Sequence, residues 1–289
     1  KELTRLARAR KMVEHFNREL LSPQGFMVHI NDRNITLPDG EKVENGLDFR
    51  NNFHLHPKFR ADIFVPCGGR PASVNINNWK AWIDEDGKPR FKAVIEGANL
   101  FLTQDARLRL EEKGVIIYKD ASANKGGVTS SSLEVLSSLV MTDKEWDDLM
   151  CVRDGVESEF RKQYIQEILA TIRENARLEF EIIWEEHVRK GIPRAILTDL
   201  ISEKINNIKD SIRESDLFHD KALLKKVIET GVPKSLLQLV GINRFLNKLP
   251  ENYLRALFAS RLAGRYVYKH GLDANEVDFY RFLEDFKKS

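Results

Sequence analysis

The chain has 289 residues and 42% of them are hydrophobic, which is enough to bury one or two cores. Its formal net charge is +2 with acidic and basic residues interspersed, which argues against a nucleic-acid or membrane-surface partner. No apolar run reaches the ~18 residues of a membrane span, and the two cysteines form no disulfide framework. These features predict an intracellular soluble protein, cytoplasmic or mitochondrial.

The first fifty residues predict a helix followed by a β-hairpin. Lys1 opens directly into a basic amphipathic pattern whose apolar positions run from Leu3 to Phe16, and no initiator methionine or signal precedes it. We therefore expect a fragment cut inside a domain. Turn signals surround short alternating runs at residues 27–30 and 34–37, which predicts a hairpin insertion near residues 25–50.

Three short β-branched runs end in the same way, because glycine and polar residues follow each of them. The runs are residues 61–65, 91–95 and 114–119. Helix-capable stretches at residues 73–84 and 103–113 lie between them, and Thr103 is a candidate N-cap of the second stretch. This order predicts two βαβ units and a parallel sheet. Ligands of such sheets bind beyond the carboxyl ends of the strands. The residues expected there are Cys67, Gly97, Asn99 and Asn124.

The segment from Asp120 to Val135 reads as a strand-to-helix turn, with the helical pattern starting near Leu133. Gly126 and Gly127 allow unusual backbone conformations and close ligand approach. The free amides at the start of the following helix favour an anion, and serine hydroxyls add donors. A carboxylate or phosphate site is one interpretation, and a serine-rich helix cap is the other.

After Ser138 the sequence is helical almost throughout. Residues 142–145 form a capping-box pattern, residues 157–190 carry an apolar stripe, and Gly191 and Pro193 end it. We expect a domain boundary here, with one domain over residues 1–137 and an all-helical C-terminal domain over residues 138–289.

Three ordered motifs resemble a known family. They are Pro66-Cys-Gly-Gly-Arg-Pro71, Glu96-Gly-Ala-Asn99 and the run from Asn124 to Glu134, and together they resemble the end of the dinucleotide domain of a glutamate dehydrogenase. The first motif and the run from Pro250 to Gly271 resemble the large NAD-specific, fungal-type branch. The chain has no G-x-G-x-x-G turn, so the implied fold class is α/β: an incomplete Rossmann-type parallel sheet followed by a helical domain.

The resemblance implies roles for individual residues. Those implied to bind cofactor are Cys67, Gly68, Gly69, Asn99, Asn124, Gly126 and Gly127. Asn124 is also implied in substrate binding, where Val128 packs on the substrate's methylene chain and Ser131 donates to its distal carboxylate. Arg70 is a possible phosphate or carboxylate ligand whose role stays open. No catalytic residue and no metal site are expected in this chain, and His54 and His56 are interpreted as structural.

The implied activity is NAD-dependent oxidative deamination of L-glutamate to 2-oxoglutarate and ammonium, performed by a homo-oligomer without nucleic-acid or membrane partners. The chain alone is expected to be inactive, because the phosphate-binding G-x-G-x-x-G turn and the proton-transfer residues are absent from it. Two alternatives stay open: a dehydrogenase of another amino acid, and a non-catalytic module for nucleotide binding and oligomerisation.

Overall fold

The structure, a computed structural model, describes residues 1–288 apart from the side chain of Glu276. Its contacts group the chain into two units. The first comprises Lys1–Asp62 and Asn77–Phe91, and the second comprises Ile63–Ile76 and the chain from Lys92 onward. The division expected between residues 137 and 138 stays a prediction.

The first unit contains little regular structure. Its elements are α1 (Glu2–Arg8), β1 (Arg33–Thr36), β2 (Lys42–Asn45), α2 (Gly46–Asn52) and four short 3-10 turns. The predicted N-terminal helix is much shorter than its apolar pattern suggested. It ends at Arg8 because Arg10 takes a left-handed φ of 52°, which a helix cannot contain. Leu6 is buried, whereas Leu3, Met12 and Val13 stay exposed.

A β-hairpin forms where the turn signals indicated one. β1 pairs antiparallel with β2, with Ile35 opposite Val43, and Gly40 takes a φ of 90° in the connecting turn. The strand expected at residues 27–30 does not form, and the partner of β1 is β2 instead. Aromatic rings of Phe26, Phe49 and Phe53 pack edge-on or tilted against one another beneath the hairpin segment.

The second unit opens with the expected three-stranded parallel sheet. Its strands β3 (Ile63–Phe64), β4 (Ala93–Ile95) and β5 (Ile116–Tyr118) lie in the order β3-β4-β5. Helix α3 (Gln104–Glu112) connects β4 to β5, which confirms one of the two predicted βαβ units. Thr103 precedes α3 in the N-cap position, but its side chain makes no capping hydrogen bond.

The prediction of a helix over residues 73–84 is wrong. Only a 3-10 turn at Trp79–Trp82 forms there, so the connection from β3 to β4 is largely irregular. Asparagine at positions 75, 77 and 78 disfavours a helix, because its side chain competes for backbone hydrogen bonds. Val74 instead forms a parallel bridge with Leu102.

Helices make up the remainder of the described chain, as predicted. A short helix α4 (Asp120–Ala123) follows β5 directly. The others are α5 (Gly126–Val140), α6 (Asp143–Leu149), α7 (Glu159–Lys190), α8 (Arg194–Glu214), α9 (Lys221–Gly231), α10 (Lys234–Val240), α11 (Ile242–Lys248), α12 (Glu251–His270) and α13 (Glu276–Lys288). An incomplete parallel sheet followed by helices is thus confirmed as the fold class.

Helix ends match local signals in the sequence. Thr142 and Glu145 form the predicted capping box of α6, and Gly191 ends α7 in the left-handed conformation with φ 68°. Two apolar cores hold the helices together: one is built mainly on α7, α8 and α12, and the other joins α5 to the segment from α9 to α12. Within the described residues, each helix is either too short or too polar to cross a membrane.

Candidate functional site

A buried ion pair fixes the loop after β4. The Glu96 side chain is fully buried, and Arg107 of α3 donates to both of its carboxylate oxygens, at 2.7 and 2.9 Å. The Leu102 amide donates to the same carboxylate at 3.3 Å. Burial raises the pKa of Glu96, while Arg107 acts in the opposite direction. The pair therefore anchors both ends of the loop from residue 97 to residue 101.

Asp120 holds the middle of this loop. Its carboxylate accepts the Leu100 amide at 2.7 Å and lies 3.5 Å from the Arg107 guanidinium. Leu100 takes a left-handed φ of 56°, which is uncommon for a large side chain and persists only where neighbours enforce it. Asp120 provides that restraint from the start of α4.

The two asparagines predicted at the strand ends meet. The Asn124 Nδ2 amide, beyond β5 and α4, donates to Asn99 Oδ1 in the loop after β4. Asn99 is exposed and Asn124 is partly exposed, so both side chains keep hydrogen-bonding capacity toward solvent. The predicted juxtaposition on one edge of the sheet is therefore observed.

The Cys67-Gly68-Gly69 segment lies against the same loop. The Ala98 amide donates to the Pro66 carbonyl at 2.7 Å. A Cβ added at Gly97 would lie 3.1 Å from Cys67 Sγ, so this close approach needs glycine. Cys67, Gly68, Gly69 and Arg70 are all exposed. Cys67 is thus a free and exposed cysteine next to the loop that carries Asn99.

Helix α5 begins earlier than its sequence suggested. Gly126 and Gly127 form its first turn rather than an open loop, and neither takes a positive φ. The backbone freedom predicted for this pair is therefore not used. A Cβ at Gly127 would meet nothing within 4 Å, so the space around this turn is open to a ligand.

The predicted substrate residues lie on the first two turns of α5. Val128 is 70% exposed, and Ser131 is also exposed. Ser131 Oγ donates to the Val128 carbonyl at 3.1 Å, a local bond inside the helix. Ser131 is therefore not an N-cap, and the capping interpretation of this serine is wrong. Its hydroxyl is free to exchange that weak bond for an external acceptor.

Behind α5 lies an ion pair that the sequence did not reveal. Lys125 Nζ contacts both carboxylate oxygens of Glu179 at 2.6 Å, and the Tyr268 hydroxyl donates to the same carboxylate at 2.9 Å. Glu179 is only 2% exposed. Burial raises the pKa of Tyr268, so its hydroxyl stays protonated. Lys125 thus connects the start of α5 to α7 and α12.

Together these contacts build a fixed platform of donors. Amides of Asn99 and Asn124, the open turn at Gly127 and the Ser131 hydroxyl are all accessible from the protein surface. Such a set can orient a polar ligand but contains no evident proton-transfer group.

The family profile described as glutamate/leucine/phenylalanine/valine dehydrogenase matches residues 1–191. The chain belongs to this family. The match covers the sheet, the asparagine pair, α5 and all of α7, so the observed platform lies inside the region typical of the family.

Relatives within the family are similar over nearly the whole chain. A protein named glutamate dehydrogenase 2 from Dictyostelium discoideum is 53% identical over 99% of this chain. NAD-specific glutamate dehydrogenases from Neurospora crassa and Saccharomyces cerevisiae are 46% and 40% identical over 98% and 99% of it. The chain spans only 28%, 27% and 27% of the lengths of these three relatives. No solved structure is significantly similar to it.

Proposed function

We propose that the protein carrying this chain is an NAD-dependent dehydrogenase that deaminates L-glutamate to 2-oxoglutarate and ammonium. Support comes from membership of the family, from the names of its similar relatives, and above all from one observation. Asn99 and Asn124, which the resemblance assigns to the junction of nicotinamide and substrate, form a hydrogen-bonded pair at neighbouring strand ends.

The residues proposed to bind cofactor fit a nicotinamide ligand. Ligands of parallel sheets bind beyond the carboxyl ends of the strands, and the exposed Cys67-Gly68-Gly69 segment lies there with the asparagine amides. Gly126 and Gly127 give the open first turn of α5. When bound, NAD accepts a hydride from the substrate. The role of the chain is to orient the carboxamide and the substrate through Asn99 and Asn124.

The substrate's side chain is proposed to lie along α5. Val128 offers an exposed apolar contact for the methylene groups, and Ser131 offers a hydroxyl donor on the next turn for the distal carboxylate. A hydrogen bond to a charged group is stronger than the local bond to the Val128 carbonyl, so the exchange is favourable. This donor is the residue-level reason to prefer glutamate over an apolar amino acid. Arg70 remains a possible anion ligand.

A dehydrogenase of another amino acid is the second candidate, because the family description also includes leucine, phenylalanine and valine. The two candidate functions can be distinguished in the full-length protein by measuring NADH formation with each amino acid in turn. We expect glutamate with NAD to give the highest kcat/KM. Faster turnover of leucine, phenylalanine or valine would contradict the glutamate assignment, and no turnover of any of them would favour a non-catalytic module.

Two further properties are proposed, the first from the family resemblance and the second from the composition of the chain. They are a homo-oligomeric assembly and a location in the cytoplasm or the mitochondrion. Sedimentation of the full-length protein and subcellular fractionation test them.

A further inference from the structure

A cleft of about 470 Å³ opens between α5, α7, α8 and α12. Apolar side chains that line it include Leu133, Ile205 and Leu257. The polar side chains that line it include Thr129, Ser132, Thr171, Asn175, Ser202 and Asn206. This volume and this mixture of apolar and polar side chains are typical of small-molecule sites, which measure roughly 300–1,000 Å³.

The charge that lines the cleft is positive. Lys125, Arg261 and Arg265 face it, and no acidic side chain of the described residues lines it. Lys125 is neutralised by the buried Glu179. Arg261 and Arg265 lie four residues apart on α12 and so share one face of that helix. The two arginines therefore give the cleft its positive charge, which Glu174 balances only in part.

The Arg261 guanidinium has a hydrogen-bond donor without a partner in the described chain. One guanidinium nitrogen, Nη2, donates to the Thr230 carbonyl at the end of α9. Its Nε atom is buried and has no hydrogen-bond partner within the described chain. Burial, with Arg265 as the next cause, lowers the pKa of Arg261 to about 10. Glu174 is the smallest of the causes that act on this pKa, so the charge of Arg261 is only partly balanced and a bound anion would stabilise it.

Arg265 is also incompletely paired. Its guanidinium lies 3.6 Å from Glu174, and its side chain is 28% exposed. Glu174 already accepts two hydrogen bonds from Arg177, at 2.9 and 3.0 Å. One carboxylate thus serves two arginines, and Arg265 keeps most of its donors for the cleft.

A structural role accounts for part of this arrangement. Arg261 caps the carbonyl end of α9 through Thr230, as cations near helix ends commonly do. That role needs one nitrogen only. It explains neither the unpartnered Nε nor the position of Arg265 on the same face.

We propose that this cleft binds a small anionic molecule, whose carboxylate or phosphate group is held by Arg261 and Arg265. The planar arginine forks match either group, and hydroxyl or amide groups such as those of Ser202 and Asn175 complete the site. The apolar side chains accommodate a short non-polar portion of the ligand. Val128, which is itself a proposed substrate residue, lines the cleft together with Lys125. If the proposed function is correct, occupancy of the cleft modulates glutamate turnover.

Titration calorimetry at low salt tests the binding site directly, with inorganic phosphate, AMP and succinate as probes of the folded 289-residue chain. We expect at least one probe to bind with Kd of about 1 mM or tighter. Arg261→Gln and Arg265→Gln should each weaken that binding by about tenfold or more. The matched control is Arg281→Gln on α13, an exposed arginine whose ion pair with Asp278 is 3.9 Å long; it should leave Kd unchanged.

The pattern among probes identifies the ligand chemistry. Binding of phosphate and AMP without succinate assigns a phosphate group, and the reverse assigns a carboxylate. Failure of all three probes to bind, or a Kd unchanged in both arginine variants, would overturn the proposal. If Arg261→Gln unfolds because α9 loses its cap, the Kd values of Arg261→Lys and Arg265→Gln are compared with that of the unsubstituted chain instead. Since the titration involves no turnover, its failure leaves the proposed dehydrogenase activity untouched.

Discussion

Replacing Arg107 with methionine tests whether the buried ion pair holds the loop that carries Asn99. Methionine fills a similar volume but leaves the Glu96 carboxylate, which is fully buried, with only the Leu102 amide at 3.3 Å. Removing one partner of a buried pair costs about 3–5 kcal/mol, because the other charge stays desolvated and unpaired. That is a large share of the ~5–15 kcal/mol that stabilises a typical domain.

Urea unfolding followed by circular dichroism measures this loss. Arg109→Met on the same helix is the matched control, because its pair with Glu112 is exposed and should contribute no more than ~0.5 kcal/mol. Adding Glu96→Gln to Arg107→Met removes the unpaired charge of the buried Glu96 carboxylate and should restore part of the stability. The raised pKa of Glu96 also predicts that Arg107→Met is less damaging at pH 5 than at pH 8, since an acid with a raised folded pKa gains stability as the pH falls. A loss below ~1 kcal/mol in Arg107→Met, or no recovery in the double variant, would refute the reasoning.

Three further outcomes are expected. The Arg244 guanidinium lowers the pKa of Glu145 from 4.5 to about 2, so their pair stabilises the fold above about pH 4.5 and is lost as the pH falls toward 2. Glu145→Gln should therefore lower the free energy of unfolding by about 1–2 kcal/mol at pH 7 and leave it unchanged at pH 2. Glu159→Gln, at an exposed position, is the neutral control. An equal loss at both pH values would contradict this. In the full-length protein, Asn124→Ala should lower kcat/KM for glutamate by about tenfold or more through lost orientation of the reactants, and unchanged kinetics would remove Asn99 and Asn124 from the site. The 289-residue chain alone should form no NADH from glutamate, and measurable turnover by it would show that the G-x-G-x-x-G turn is dispensable.

The sheet could be predicted because its signals are local. Each strand is a short apolar run that ends in glycine or a polar residue, and that pattern also placed Asn99 and Asn124 at one edge. The prediction of a helix over residues 73–84 is wrong, because the asparagines at positions 75, 77 and 78 and the bridge from Val74 to Leu102 favour an irregular path.

The interior ion pairs could not be predicted from spacing. Arg107 and Glu96 are 11 residues apart, and Lys125 and Glu179 are 54 apart, so only the folded chain brings each pair together. The start of α5 was misplaced because glycine and serine have weak helix propensity, and tertiary packing overrides it. A Cβ added at Gly126 would lie 3.6 Å from Ile172 of α7, so this first turn of α5 lies close to α7.

Ser131→Ala in the full-length protein tests whether this chain supplies the donor for the distal carboxylate of glutamate. Losing a hydrogen bond to a charged group costs roughly 1.5–3 kcal/mol, or about a 10- to 150-fold drop in kcat/KM for glutamate. Norvaline, which has no distal carboxylate, should lose much less. Ser130→Ala is the matched control, because Ser130 Oγ also donates to a carbonyl one turn back, that of Gly127. Since Ser131 is not a helix cap, the melting temperature should not fall. An equal kinetic loss for glutamate and norvaline, or no loss for either, would contradict the account.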